Sequence, residues 1–409
     1  MSLGLAPQTD RASSPSSGLR RAGRIPSVFN DFRSRAPITS AAICVPARNE
    51  AARLPEFFAA LREAVRHAVN SGLSCEVVVA LDGCTDASPA IVDAQSLSFI
   101  CPVRAVHLPP IGTPHAGRAR RAAMDEGLHP GTQWNREGHA LMTTDADTRV
   151  DRDWITANAD GLRDTDVVAG WVDWDTETAL PELIAQERYF SDLHLWRRTV
   201  DPVAHDAPDP HHKQYGASLA VRADVYASLG GLPERPHNED TALVRAARLA
   251  GFRVRQDRRP RVLTSTRKRG RASHGFADAI TSVEAMRADG IGLEVDCPDY
   301  LTESYRASAR ARRAWTENRD AVGARGVCGH PVRDSEDSGH RQPDIGATRF
   351  RVEDCVGTDL PEFEFHQAWA GSSSADAFVT RLFEPLVPGP KVPLERAVHR
   401  LEQLKERGL

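Results

Sequence analysis

The sequence predicts an α/β fold in which helices flank a mostly parallel central sheet and a mainly helical C-terminal extension follows. Between residues 40 and 144, four short apolar runs typical of buried strands alternate with segments whose apolar residues recur at helical spacing. The fourth run ends abruptly at two carboxylates, Asp145 and Asp147. A repeated β-α-β rhythm favours parallel strands with helices on both faces of the sheet.

The elements follow one another along the chain with few long interruptions. The predicted strands are 41–45, 76–81, 103–108, 139–144, 166–172, 215–221, 252–256 and 261–264. The predicted helices are 54–69, 88–95, 117–126, 180–198, 239–250, 374–383 and 394–405. We interpret residues 205–212, rich in Pro and Asp, as an exposed loop rather than as a metal site formed by His205, His211 and His212.

Changes in composition divide the chain into three parts. Residues 1–38 are rich in Ser, Pro, Arg and Ala, and we expect a disordered tail because they bury too little apolar surface. Residues 39–285 carry the α/β pattern and form the predicted main domain. Residues 286–409 are predicted to be a helical and loop-rich extension.

Overall composition excludes several classes of protein. The chain has 41% hydrophobic and 26% charged residues, as expected of a globular protein. A net charge of −4 argues against a dedicated nucleic-acid binder. No apolar run reaches the ~20 residues of a transmembrane helix, and no apolar core follows the N-terminal arginines. The seven cysteines form no Cys-x-x-Cys pair. We therefore expect a cytoplasmic protein.

The carboxylate pair Asp145-Ala146-Asp147 is the first candidate site. Ligands of open α/β sheets bind beyond the carboxyl ends of the strands, and the pair follows the fourth predicted strand. Hard oxygen ligands suit Mg²⁺ or Mn²⁺, and such an ion can hold a diphosphate. Asp-x-Asp also occurs by chance in many loops, so the pair needs support from other segments.

Two earlier strands also end at polar residues. The first is followed by Pro46-Ala47-Arg48-Asn49-Glu50, which could contact a nucleotide or form a polar turn with Glu50 near a helix start. The second is followed by Asp82-Gly83. Asp82 could accept a hydrogen from a nucleobase, and Gly83 allows close approach of the backbone. A plain turn, with Asp86 or Ser88 capping the next helix, is the alternative.

Three further segments carry charge at positions that suit a site. Gly117–Arg121 opens a helix with clustered arginines, which attract phosphate or form a solvated basic face. Asn238-Glu239-Asp240 opens another helix and supplies either a general base or ordinary helix capping. Residues 267–271 form a basic run before His274, a candidate metal ligand; the alternative is a surface loop.

Four motifs in order resemble family 2 glycosyltransferases of the GT-A fold, in a soluble, non-processive form. They are Val45-Pro46-Ala47-Arg48-Asn49-Glu50, Asp82-Gly83-Cys84-Thr85-Asp86, Asp145-Ala146-Asp147 and Asn238-Glu239-Asp240. The resemblance covers roughly residues 40–285 and leaves the C-terminal residues unmatched. The Gln-x-x-Arg-Trp motif of processive synthases is absent from the sequence.

The resemblance implies a role for each matched residue. It implies a nucleotide-sugar site formed by Pro46, Ala47, Arg48, Glu50, Asp82, Gly83, Arg118, Asp145 and Ala146. It implies that Asp147 binds Mn²⁺ or Mg²⁺ directly, that Asp145 lies near the metal and the donor sugar, and that Asp240, beside Glu239, deprotonates the acceptor. His274 is a candidate third metal ligand, which no motif assigns.

The predicted function is therefore transfer of a sugar, of hexosyltransferase type, from a nucleotide-diphosphate sugar to an acceptor hydroxyl. We expect a metal-dependent, inverting reaction with a UDP-sugar as the favoured donor. A non-catalytic nucleotide-sugar-binding module is an alternative. A sugar nucleotidyltransferase would carry a Gly-rich loop after the first strand, where this chain has Pro46-Ala47-Arg48. A dehalogenase-type phosphatase would carry its Asp-x-Asp motif at the start of the domain.

Overall fold

The computed structural model describes most of the region between residue 35 and residue 407. The described residues are 35–111, 115–128, 136–174, 180–267, 276–325, 368, 372–383 and 389–407. Most of the predicted tail, residues 1–34, lies outside them, as do His274 and residues 268–271 of the basic run. Within the last part of the predicted tail, Arg35 forms ion pairs with Asp166 and Asp224, and Ile38 is buried.

Eight strands form one central sheet in the order β3-β2-β1-β4-β7-β6-β8-β5. Strands β1 to β4 are mutually parallel, and β6 and β8 run in the same direction, whereas β7 and β5 are antiparallel to their neighbours. The strands are β1 (Ser40–Ala47), β2 (Ser74–Asp82), β3 (Val103–Leu108), β4 (His139–Thr143), β5 (Thr148–Val150), β6 (Val167–Trp174), β7 (Leu219–Arg222) and β8 (Val254–Thr264). The predicted α/β fold with a mostly parallel sheet is confirmed.

Helices cover both faces of this sheet and form the described C-terminal region. They are α1 (Leu54–Asn70), α2 (Ser88–Ser98), α3 (Ala116–Gly127), α4 (Trp154–Gly161), α5 (Pro181–Val200), α6 (Ala223–Ser228), α7 (Glu239–Leu249), α8 (Phe276–Ala288), α9 (Pro298–Arg325), α10 (Ala375–Phe383) and α11 (Leu394–Glu406). A small second sheet pairs β9 (Glu294–Asp296) with β10 (Lys391–Pro393).

The side chains of the central strands alternate between two apolar layers. Ile43 of β1 belongs to the layer that also contains Phe57 and Leu61 of α1. Ala42 belongs to the opposite layer, together with Met124 of α3 and Leu243 of α7. Because successive strand residues point to opposite faces, a strand covered on both sides must be apolar at nearly every position. This explains why β1 and β2 read as continuous apolar runs.

The C-terminal helices pack against the main sheet domain in two places. Leu401 of α11 joins a cluster with Leu183 of α5 and Val283 of α8. Phe378 of α10 packs with Ala311 of α9 in another cluster, and α10 also contacts α7. The predicted helices at 374–383 and 394–405 are confirmed with end shifts of about one residue. The domain boundary predicted at residue 285 falls within α8 and remains a prediction.

Differences between the sequence predictions and the structure concern β8, residues 205–212 and α9. The strands predicted at 252–256 and 261–264 are one strand, β8, whose register against β6 shifts between Gly170 and Trp171. A bulge of this kind interrupts the alternation of side chains without ending the strand. Residues 205–212 form a loop that is only partly exposed: Pro208 and Asp209 are exposed, whereas His211 is fully buried, with Nε2 3.1 Å from the Ala169 carbonyl oxygen. The long helix α9 was not predicted, since its sequence is rich in Arg and Ala and has few apolar residues.

Leu61→Ala tests the apolar layer beneath β1. Leu61 is fully buried, so we expect the free energy of unfolding to fall by about 2–5 kcal/mol because the substitution leaves a cavity. Urea unfolding followed by circular dichroism measures the change. Leu97→Ala is the matched control, because Leu97 is 89% exposed, and it should change stability by less than about 0.5 kcal/mol. Equal losses for the two variants would contradict this packing.

Candidate active site

A cleft of about 210 Å³ lies beyond the carboxyl ends of β1, β2 and β4. The strand order reverses between β1 and β4, and such a switch point opens a crevice in a sheet of parallel strands. The cleft is lined by Pro46, Ala47, Arg48, Glu50, Asp82, His115, Ala116, Ala119, Arg120, Asp145, Ala146, Asp147, Thr264, Ser265, Arg267, Phe276 and Ala277. The sheet topology thus brings the ends of the first, second and fourth strands to one place, as their sequence positions predict.

Asp82, at the end of β2, is held between two arginines. Its Oδ2 accepts from Nη1 of Arg48 at 3.2 Å, and its Oδ1 accepts from Nη1 of Arg118 at 2.8 Å. The Asp82 side chain is 3% exposed, so these charge-assisted bonds orient it almost without competition from water. His115 caps helix α3, since its Nδ1 accepts from the backbone N–H of Arg118 at 3.0 Å.

Hydrogen bonds connect the turn after β1 with the turn after β2. Asn49 has a φ of 55°, and its Oδ1 accepts from the backbone N–H of Thr85 at 2.7 Å. Gly83 has a φ of 56°, and a Cβ placed there would lie 2.8 Å from Cα of Pro110. A larger residue would therefore be strained in two ways. The Ser88 hydroxyl accepts from the N–H of Glu50 at 2.8 Å instead of capping α2.

Asp147 is positioned by pairing between two short strand segments. It directly precedes β5, whose Thr148 pairs with Thr264 of β8, and this pairing places Ser265 beside the carboxylate. The Asp147 Oδ2 accepts from the Ser265 hydroxyl at 2.5 Å and lies 3.2 Å from Nη2 of Arg267. Burial raises the pKa of Asp147 above its ordinary value, and Arg267 acts in the opposite direction.

Arg120 joins the two ends of the candidate site. Its buried guanidinium donates to Oδ1 of Asp145 through Nη2 and to Oε1 of Glu239 through Nε, each at 2.9 Å. Its Nη1 donates to the Thr143 hydroxyl and to the Gly216 carbonyl, each at 2.8 Å. Only glycine fits at residue 216, because a Cβ would lie 2.4 Å from Cζ of Arg120.

Glu239 and Asp240 begin α7 but occupy different surroundings. Glu239 is buried against Arg120, and burial raises the pKa of Glu239 above its ordinary value while Arg120 acts in the opposite direction. Asp240 is half-buried, and its Oδ2 accepts from the backbone N–H of Gly216 at 2.6 Å. Asn238 has a φ of 58° and makes no side-chain capping bond, so simple capping does not explain this triplet. Glu239 and Asp240 do not line the cleft itself.

Some arginines of the two basic runs bind carboxylates of this site, and others make contacts elsewhere. Arg118 and Arg120 bind site carboxylates, so a solvated basic face does not describe them. Arg121 instead donates to the carbonyl of Leu232 at 2.8 Å, outside the cleft. Arg267 ion-pairs with Glu50 at 2.8 Å across the cleft. Sequence reasoning missed Arg120 and Ser265; Arg120 stood within a recognised run, but nothing in the sequence distinguished it from its neighbours.

Comparison with known families identifies the segment that contains most of these residues. Residues 42–205 match the model for glycosyl transferase family 2. This match covers less than half of the chain. It includes the Arg48, Asp82 and Asp145–Asp147 motifs, whereas Glu239 and Asp240 lie beyond it. The resemblance predicted from the sequence is confirmed, and sugar transfer is the general activity of the family.

Similar solved structures are distant. One is S. aureus TarS 1–349 in complex with UDP, with 14% identity, 71% of this chain and 75% of that chain covered, and a TM-score of 0.40. Another is the mannosyltransferase PcManGT from Pyrobaculum calidifontis in complex with GDP-Man and Mn²⁺, with 17% identity, 70% and 67% covered, and a TM-score of 0.40. No curated protein matches the chain. The family assignment therefore rests on the matched segment.

The carboxylates of this glycosyltransferase segment fit a divalent cation in part. Among the described residues, Arg120 contacts one oxygen of Asp145, while Ser265 and Arg267 contact one oxygen of Asp147. The second oxygen of each carboxylate could therefore bind a hard ion. No three His, Cys, Asp or Glu side chains converge as a metal site in the described part of the chain. Mg²⁺ typically completes such a shell with water and substrate phosphates.

None of the described helices combines sufficient length with sufficient apolar character to cross a bilayer.

Arg120→Met tests the buried link between Asp145 and Glu239. Removing the cation leaves Glu239 buried without its partner, so we expect the free energy of unfolding at pH 8 to fall by about 3–5 kcal/mol. Urea unfolding measures the loss. Arg121→Met is the matched control, since the Arg121 side chain is 31% exposed and lies outside the cleft; it should lose far less stability.

The same variant should show a distinct pH dependence. Glu239 has a raised pKa in the folded protein, and losing Arg120 should raise it further. The protonated form is then favoured in the folded state, so stability is recovered as the pH falls and lost as the pH rises through the folded pKa. The deficit of Arg120→Met relative to the parent should therefore be smaller at pH 5 than at pH 8. A deficit independent of pH would contradict a burial-controlled Glu239.

Proposed function

We propose that this protein transfers a sugar from a nucleotide-diphosphate sugar to an acceptor hydroxyl, with inversion at the anomeric carbon and with Mn²⁺ or Mg²⁺ as cofactor. The observation that carries the proposal is the buried Arg120, which ties Asp145 of the cleft to Glu239 at the start of α7. Arg120 thereby holds the proposed donor site, at Asp145, and the beginning of α7, which carries the proposed base, at one edge of the sheet.

The nucleoside half of the donor is assigned to the ends of β1 and β2. Pro46, Ala47 and Arg48 line the cleft beside Asp82. Each oxygen of Asp82 already accepts from one arginine but retains a further lone pair, so the carboxylate can also accept the imide N–H of a uracil. A UDP-sugar is the donor to test first, and GDP- and dTDP-sugars, whose bases also present a ring N–H, are the alternatives.

The diphosphate half is assigned to the space between Arg118 and Arg267. Arg267 reaches Asp147 and Glu50 across the cleft, and Arg118 lies beside Asp82. Guanidinium groups bind phosphate oxygens in a paired geometry, so both arginines can neutralise the departing charge. Asp147, with Asp145, would hold the divalent ion, which supplies further positive charge to the leaving diphosphate. His274 stays a candidate ligand outside the described residues.

The transfer step breaks one bond and forms another at the anomeric carbon. The acceptor oxygen attacks from the face opposite the diphosphate, and the bond between the anomeric carbon and the phosphate oxygen breaks. The nucleoside diphosphate leaves with that electron pair. The acceptor proton passes to the carboxylate of Asp240, which acts as general base.

Surroundings favour Asp240 over Glu239 as the base. One oxygen of Glu239 is bound to Arg120, and the side chain is 5% exposed, so an acceptor cannot readily reach it. Asp240 is half-buried and oriented by the backbone N–H of Gly216 and of Thr241, at 2.6 and 2.7 Å. Glu239 is better interpreted as a positioning residue that holds Arg120 and the beginning of α7.

Asp147→Asn tests the metal assignment. The parent protein should show a rise in melting temperature with UDP that becomes larger when Mn²⁺ is added, because a ligand that binds only the folded state stabilises it. Asp147→Asn should lose the Mn²⁺-dependent part of this rise, since an amide is a weaker ligand than a carboxylate. An unchanged Mn²⁺-dependent rise would refute the assignment of Asp147. No nucleotide-dependent shift in the parent protein would contradict the donor site as a whole.

Asp240→Asn tests the base assignment. Release of nucleoside diphosphate in the presence of acceptor should fall by roughly 10²–10⁴-fold, because the amide cannot take the proton. Donor binding measured by calorimetry should stay within twofold of the parent. Asp93→Asn, on the exposed face of α2, is the control and should leave both quantities unchanged. Near-normal turnover in Asp240→Asn would refute the assignment, and donor binding by the parent without turnover on any acceptor would favour the binding-module alternative.

A further inference from the structure

A second cavity of about 300 Å³ lies away from the donor cleft. Its walls come from the C-terminal half of α5, the end of α7, the start of β8, and the helices α9 and α10. It therefore lies where the C-terminal helices meet the sheet domain. Its volume is at the lower limit of the roughly 300–1,000 Å³ typical of small-molecule sites.

The lining of this cavity is rich in guanidinium groups. Among the described residues, Arg197, Arg198, Arg248 and Arg312 all face it, together with the carboxylate of Asp376. Two further carboxylates lie behind the arginines. These are Asp206, 2.7 Å from Nε of Arg198, and Asp201, 2.8 Å from Nε of Arg312. Arg198 and Arg312 thus each have a carboxylate partner among the described residues.

Arg197 differs from Arg198 and Arg312 in this respect. No ion pair of Arg197 is found within the described ranges, and its Nε is buried without a hydrogen-bond partner there. Its guanidinium instead lies over the ring of Tyr305, with 5.4 Å between Cζ and the ring centroid. Arg197 as a whole is half-buried. A cation partly removed from water without a counter-charge favours an anion in the cavity.

Two titratable groups beside these arginines have lowered pKa values. Burial lowers the pKa of Arg198 to about 10, and Arg197, Arg248 and Arg312 act in the same direction against Asp206. Burial also lowers the pKa of His205, although Asp376 opposes this change. In both groups burial disfavours the charged form, and for Arg198 the neighbouring arginines add to this effect.

We propose that this cavity binds a phosphate group of a small ligand. Arginine presents several N–H donors in a planar arrangement that matches phosphate oxygens, and four arginines converge here. Ser304, Ser308 and Thr380 add hydroxyl groups to the lining. The phosphate would supply the counter-charge and the hydrogen-bond acceptor that Arg197 lacks among the described residues.

The site is separate from the donor cleft but connected to it by one helix. Helix α7 carries Asp240 in its first turn and Arg248 in its last turn. Eight residues separate them, which corresponds to about 12 Å along the helix axis. The proposal does not depend on the proposed glycosyl transfer, because it rests on a different set of residues.

Calorimetric titration of the full chain with inorganic phosphate, in the presence of EDTA, tests the proposal. EDTA removes divalent ions and so suppresses metal-dependent binding of phosphate in the donor cleft. The parent should bind one phosphate. Arg197→Gln should bind it at least tenfold more weakly, while its melting temperature without phosphate stays equal to or above that of the parent. The melting temperature confirms that a loss of binding is not a loss of folding.

Two control variants separate this cavity from other basic surfaces. Arg188→Gln changes an exposed arginine on the same helix, α5, and should bind phosphate like the parent. Arg267→Gln changes the donor cleft and should also bind phosphate like the parent. The proposal is overturned if the parent binds no phosphate up to about 10 mM, corresponding to a binding free energy weaker than about −3 kcal/mol. It is equally overturned if Arg197→Gln binds normally, or if Arg267→Gln abolishes binding.

Discussion

The buried guanidinium of Arg120 is the interaction on which the candidate site depends. It lies on α3 and binds the end of β4 through Thr143 and Asp145, the segment before β7 through Gly216, and the start of α7 through Glu239. Burial alone would lower the pKa of Arg120, but the carboxylates of Asp145, Glu239 and Asp240 raise it above its ordinary value. Arg120 therefore stays charged. Segments more than a hundred residues apart along the chain are held at one edge of the sheet by a single cation.

Much of the fold could be predicted because the burial of the sheet determines the sequence pattern. Strands β1 and β2, covered on both faces, require continuous apolar runs, and these were recognised. Strand β8 appeared as two strands, because a bulge interrupts its alternation. Helix α9 escaped recognition because arginine and alanine dominate its sequence. Its position is set by packing against α5, α10 and α11, which one-dimensional periodicity cannot reveal.

Site residues that follow predicted strands could be recognised from the sequence. Site residues that depend on contacts between distant segments could not. Asp82 and Asp147 follow apolar strands, so the parallel sheet topology alone brings them to the same cleft. The sequence predicted a role in the site for Arg118 but not for Arg120, two residues later. The role of Arg120 could not be predicted, because its partner Glu239 lies 119 residues further along the chain. The role of Ser265 depends on the pairing of Thr148 with Thr264, which only the folded sheet creates. Long-range pairing of this kind leaves no local trace in the sequence.

A crystal structure with UDP and Mn²⁺ bound tests the central claim most directly, namely that the ends of β1, β2 and β4 form a nucleotide-sugar site. Anomalous scattering from manganese would locate the ion independently of the nucleotide. The account predicts the uracil beside Asp82, the diphosphate between Arg118 and Arg267, and manganese bound to Asp147. Nucleotide bound away from this cleft, or manganese bound without Asp147, would contradict it.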